Sequence, residues 1–163
     1  GQMAKPYFPV DFDQVAAQRD FSTIEPGGYV ETGSIKVIPF PLNHPQNATG
    51  YRIEVDGAVI VYATDFEHGH VKLDETLRQY GEGADILICD AQYVPAEYEL
   101  HRGWGHSTWL NAVHVARDCR ARQLFLFHHD PTHDDQHMMR ITEDSRMQFE
   151  NTTAAWEGFV AVL

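Results

Sequence analysis

Apolar and polar positions change rhythm several times along the chain, and each change marks an element. In SIKVIPFPL, Ile35 and Val37 share one face across Lys36, and Ile38 and Phe40 follow on the other, the two-residue period of a strand. Tyr51, Ile53 and Val55 then alternate, Asp56–Gly57 supplies the positive φ angles of a two-residue hairpin turn, and Ala58 to Tyr62 runs back. VKLDETLRQY places Leu73, Leu77 and Tyr80 at helical spacing, with Asp74 and Glu75 near the positive end of the dipole and Gly81 and Gly83 to end it. ADILICDA is mostly apolar at both parities and stops at Asp90, as a strand buried on both faces does. HSTWLNAVHVARDCRARQ is amphipathic, with Trp109, Ala112, Val113, Ala116 and Cys119 on one face and Ser107 or Thr108 as its cap. LFLF follows as another buried strand, DDQHMMRITEDSRMQFEN as a helix, and GFVAVL as a closing strand. The pattern predicts a hairpin followed by α-β-α-β-α-β, a layered α/β arrangement.

Composition narrows the class. The chain has 163 residues, and its 43% hydrophobic and 12% aromatic content is that of a globular domain rather than a disordered one. A single unit over 1–163 is expected, with 1–33 as a proline-punctuated, extended lead-in holding a short helix in DFDQVAAQ. No apolar run is long enough to cross a bilayer, and Gly1 opens no signal peptide, so a cytoplasmic protein without membrane partners is expected. Cys89 and Cys119 form no C-x-x-C pair and read as buried reduced thiols. The formal charge of −12, with no basic stripe to offset it, argues against nucleic acid as a partner and for a small substrate with metal cations.

Ten histidines are the unusual number, because several sit where strands end. The strand through Phe40 leads to His44, the one through Tyr62 to Asp65, and LFLF to His128. Loops at strand ends are where packed strands hold side chains rigidly together. Imidazole nitrogen and carboxylate oxygen suit zinc, manganese or iron, and one aspartate between two cations can bridge them.

Taken in order, NHPQNATGYRIEVDG, VIVYATDFEH, ADILICDAQY, GWGHST and LFLFHHDPTHDD resemble the metallo-β-lactamase superfamily, in particular its ribonuclease Z-like and phosphodiesterase-like hydrolases. The resemblance runs from about His44 to the end. It implies the C-terminal half of an αββα sandwich, in which two divalent metals activate a water against an ester, most simply a phosphodiester. It implies His44, Asp65 and His128 as metal ligands, with Asp65 bridging, and His106 as a catalytic residue near the scissile phosphate, beside a helix N-terminus that favours an anion. The superfamily's H-x-H-x-D-H motif is absent; His68–Gly69–His70 imitates its start, but Lys72 and Leu73 stand where its aspartate and last histidine belong. The expectation is therefore a C-terminal portion, completed by an N-terminal half or associating with itself, with little or no catalysis by this chain alone. A non-catalytic scaffold domain and a ribonuclease Z-like tRNA-processing nuclease are the alternatives.

The remaining candidates carry blander expectations. Of His128 and His129, adjacent on a strand, only one can face the site, and the family register selects His128. Asp90 reads equally as a partner holding a ligating histidine or as a strand-end cap. Glu67 and His68 are close enough to Asp65 to line a pocket, His133 to Asp135 start the last helix, and His101, His114 and His137 read as surface. Trp104 and Trp109 read as core or pocket wall.

Overall fold

A computed structural model describes residue 18, residues 22–24 and residues 27–163. Most of the 1–33 lead-in, and the short helix expected in DFDQVAAQ, lie outside them. Eleven elements follow: β1 (Val30–Thr32), β2 (Ile35–Pro41), β3 (Thr49–Val55), β4 (Ala58–Ala63), α1 (Val71–Gly81), β5 (Ile86–Asp90), α2 (Pro95–His101), α3 (Trp109–Asp118), β6 (Gln123–Phe127), α4 (Asp135–Gln148) and β7 (Thr152–Ala154). The strands form one seven-stranded sheet in sequence order. β1 to β4 are antiparallel, and β4 to β7 are parallel.

The β3–β4 hairpin closes at Val55↔Ala58, with φ at +50° for Asp56 and +84° for Gly57, the twist that the Asp-Gly pair permits. From β4 onward each crossover steps to the next strand in the same direction. Crossovers of one hand, all stepping one way, place their helices on one face. On that face Val61, Ala63, Leu87, Cys89, Leu124 and Leu126 are fully buried beneath Leu77 of α1, Val113 and Ala116 of α3 and Ile141 of α4. Each of these leucines adds about 1.5–3 kcal/mol by leaving water.

The opposite face is also apolar, which is why β5 and β6 read as continuous hydrophobic runs. Ile60, Tyr62, Ile86, Ile88, Phe125 and Phe127 line a hollow there with the C-terminal residues Trp156 and Phe159. Phe159 packs on Phe125 with ring centroids 5.3 Å apart, while Phe127 remains 38% exposed. No helix covers this face among the described residues, as expected of one half of a sandwich.

Two elements differ from the sequence expectation. GFVAVL forms no strand; the last strand is Thr152–Ala154, pairing in parallel with β6, and Phe159 instead lays its ring on Phe125. The helix α2 was not expected, although Pro95 opens it and the Glu97 carboxylate accepts from Val94 N at 3.0 Å, two signs of a helix start. The cap of α3 resolves to Thr108, whose side chain accepts from Asn111 N. Cys89 and Cys119 are buried and free. No helix among the described residues is long and apolar enough to cross a membrane.

Candidate metal centre

Strand direction alone explains why distant residues meet. β4, β5 and β6 run parallel, and β2, antiparallel to β3, runs the same way as β4. All four therefore end at one edge of the sheet. The residues delivered there are His44 after β2, Asp65 after β4, Asp90 at the end of β5 and His128 after β6.

Asp65 and His128 each break from their strand in the left-handed region, with φ of +54° and +60°. Few non-glycine residues adopt it, although Asp and His do so more than most. The turn brings His128 Nε2 to 3.1 Å from Asp65 Oδ1. One ligand-capable atom each of His44, Asp65 and His106 lies within 4.8 Å of the others. The His106 ring stacks on His128 at 4.6 Å and meets the His44 ring edge-on at 5.5 Å. Gln46 N donates to His44 Nδ1 at 3.2 Å, so ligation by a neutral His44 through either ring nitrogen gives up that exposed hydrogen bond.

Beneath this group lies Asp90, with no exposed surface. Its carboxylate accepts from Ser107 N at 2.9 Å, Gln92 N at 3.2 Å and Phe66 N at 3.4 Å. The fourth donor is His106 Nδ1 at 2.9 Å. A buried carboxylate so occupied is an orienting group rather than a ligand, although Asp90, His106 and His128 also lie close enough to count as a cluster. It fixes the Nδ1–H tautomer of His106, frees Nε2, and through that hydrogen bond raises the histidine pKa above its ordinary value.

Glu67 is the residue that sequence reasoning undervalued. It is buried, and its carboxylate accepts from the Tyr98 hydroxyl at 2.9 Å, Gly103 N at 2.7 Å and Gly105 N at 2.9 Å. Its backbone pairs twice with Asn43, which precedes His44. One residue, through its backbone and its side chain, thus joins the loops carrying His44, Asp65 and His106. Burial by itself would raise the Glu67 pKa, but the two backbone donors and Tyr98 outweigh it and leave it lowered. Burial and the bond to Glu67 push the Tyr98 phenol up to about 12. Gly105 completes the cradle: at φ +96° it passes so close to His44 that a Cβ there would sit 2.2 Å from His44 Cδ2.

The other histidines separate cleanly. His68 turns from the metal-capable group: its ring is held by Ser107 Oγ and Asn111 Nδ2, and burial lowers its pKa. His70 caps α1 by accepting from Leu73 N. His129 is half-buried, with both ring nitrogens enclosed and without a hydrogen-bond partner. His114 is exposed, as expected. His101 is not simply surface, since its ring stacks on Tyr93 at 4.4 Å and Nδ1 contacts Glu97 O. His137 departs further, lying beside Glu97 and His133. Trp109 is core, while Trp104 is 62% exposed.

The donors fit a divalent cation. Two imidazoles and a carboxylate form an N/O set suited to zinc, iron or manganese. A separation of 3.1 Å between His128 Nε2 and Asp65 Oδ1 is what two ligands of one ion require. Three such donors are fewer than two cations need.

The sequence profile described as beta-lactamase superfamily domain matches residues 1–129. The chain belongs to this family. It is similar to the ribonuclease Z of Bacillus licheniformis, at 27% identity over 89 residues, covering 55% of this chain and 29% of that protein. The chain thus spans less than a third of that curated relative's length. The metallo-β-lactamase fold protein YhfI from Bacillus subtilis superposes with a TM-score of 0.70 at 18% identity, covering 85% of this chain and 54% of that one. Zn2+-bound PqqB from Methylobacterium extorquens superposes at 0.62 with 15% identity, covering 87% and 55%. These likenesses establish the metallo-β-lactamase fold, and PqqB shows that a protein of this fold carries zinc. The name of the first relative qualifies the expectation that nucleic acid is no partner: net charge describes the field of this chain as a whole, whereas RNA binding needs only a local basic surface.

Proposed function

We propose that this chain is the C-terminal portion of a metal-dependent hydrolase acting on a phosphodiester, and that His44, Asp65 and His128 are its share of a dinuclear metal centre. The observation that carries this reading is the meeting of His128 Nε2 and Asp65 Oδ1 at 3.1 Å beside His44 and His106. Divalent cations held there would acidify a water and offset charge developing on the ester.

The chain's own residues then take distinct parts. Asp65 lies close to His128 and to His44, and its carboxylate has two oxygens that could serve two cations. His106 does not compete for them in the same way, because Asp90 holds its Nδ1. Its raised pKa keeps a proton available at Nε2 for the departing alkoxide, general-acid work worth roughly 10²–10⁴ in rate. Glu67 and Asp90 hold the loops in register without touching substrate. The similarity to ribonuclease Z supports the phosphodiester, and RNA is the second substrate reading on the same ground.

Hydrolysis of bis(p-nitrophenyl) phosphate with zinc or manganese, read beside cation titration, tests the proposal. Slow turnover by the chain is expected. Asp65→Asn should lose one equivalent of bound cation and turnover together, whereas His106→Ala should keep that cation and lower kcat. Cation binding that is unchanged in Asp65→Asn would overturn the assignment, whether or not the chain turns over.

A further inference from the structure

Glu97, His133 and His137 form a second cluster, sharing no residue with His44, Asp65, His106 and His128. Glu97 comes from the first turn of α2, His133 from the loop before α4, and His137 from the first turn of α4. One ligand-capable atom from each lies within 4.8 Å of the others. His133 Nε2 is 3.2 Å from Glu97 Oε1 and 3.1 Å from Oε2. The His133 and His137 ring centroids are only 4.1 Å apart, and no hydrogen bond joins the rings.

Burial makes the arrangement more than a surface contact. The His133 side chain is 2% exposed, and its Nδ1 is buried with no partner. Glu97 is pre-set, since Oε2 accepts from Val94 N at 3.0 Å and leaves Oε1 with only His133 to contact. Ligands on one tetrahedral zinc, each at about 2.0–2.2 Å, stand roughly 3.3 Å apart, close to the separations seen here. Asp134 and Asp135 adjoin the site, and the chain carries a formal charge of −12, so a cation is the favoured occupant.

We propose that Glu97, His133 and His137 bind a divalent transition-metal cation of the zinc class, at a site distinct from the one assigned to ester hydrolysis. Two imidazoles and one carboxylate select zinc, cobalt or nickel over magnesium or calcium, which take mainly oxygen. The cation ties α2 to the loop that follows β6. That loop begins at His128, so the second site steadies the first through the backbone.

Cobalt(II) is the probe, because its visible absorption reports tetrahedral ligation. The chelator-stripped protein carrying Asp65→Asn and His128→Ala, which removes ligands of the other centre, is titrated with cobalt(II) and then with zinc. One equivalent of cobalt with an intense visible band, displaced by zinc, is expected. Adding His137→Ala should weaken binding by more than roughly the 10–100-fold lost with an outer partner of a metal site. No cobalt bound by the double variant, or affinity unaffected by His137→Ala, would overturn the site and leave the His133–Glu97 contact as a hydrogen bond only. If circular dichroism shows that the double variant does not fold, His137→Ala in the otherwise unaltered chain decides: it must lose one equivalent of cobalt, and unchanged stoichiometry refutes the proposal.

Discussion

His128 Nε2 lies 3.1 Å from Asp65 Oδ1, although the two residues leave strands separated by β5 and both adopt positive φ. The left-handed turn re-aims each side chain at the sheet edge, where an extended continuation would carry it past. Strain of this kind persists only where surrounding structure imposes it, and it collects at functional sites.

A stability measurement can expose that strain. Glycine adopts φ near +55° freely, whereas other residues incur about 1–2 kcal/mol there. Asp65→Gly should therefore unfold at the same or a higher denaturant midpoint than the parent chain, while the cation held by Asp65 and His128 is lost. A clear fall in midpoint would show that Asp65 is held for stability instead.

Asp90 should set the ionisation of His106. Asp90→Asn removes the charged acceptor that raises the histidine pKa, so the pKa should fall, as an NMR titration of the imidazole would read. The protein with Asp90 intact should keep His106 protonated to higher pH. An unchanged titration in the variant would mean that the 2.9 Å contact does not govern the proton.

Glu67→Gln should destabilise the chain by about 2 kcal/mol or more at neutral pH, because charge-assisted bonds to Gly103 N and Gly105 N are weakened. The sign of the pH dependence follows from the lowered pKa. The stabilisation from Glu67 is complete above the ordinary value of 4.5 and is lost as pH falls through the lower folded-state value. Urea denaturation of both proteins should show the gap holding from pH 8 to pH 6 and narrowing below pH 4.5. A gap that widens in acid contradicts this.

Gly105→Ala should act on the site and the fold together. The new Cβ would meet His44 at 2.2 Å and would also adopt φ +96°. A loss of at least about 1–2 kcal/mol is expected from the backbone alone. Displacement of His44 should weaken cation binding as well, measurable by titration beside thermal unfolding.

Much of this was legible in the sequence, and the exceptions have physical causes. The hairpin, α1, α3, α4 and the strands β2 to β6 follow from periodicity and turn chemistry, which are local. That His44, Asp65 and His128 lie at the ends of strands was legible, because each stands shortly after a readable strand. Glu67 was not, since its importance lies in accepting from Gly103 and Gly105, thirty-six and thirty-eight residues away. His137 looked like a surface residue because helical position says nothing of the neighbouring helix that brings Glu97 to it. GFVAVL has strand composition, yet Phe159 finds an aromatic partner in Phe125 rather than a pairing strand.

Anomalous diffraction from crystals of the chain soaked in zinc is the most direct measurement of the central claim. The account predicts a zinc peak within coordination distance of both Asp65 and His128, on the side facing His44, and absent from the Asp65→Asn protein. Zinc bound elsewhere with nothing between Asp65 and His128, or a peak there that survives Asp65→Asn, would contradict it.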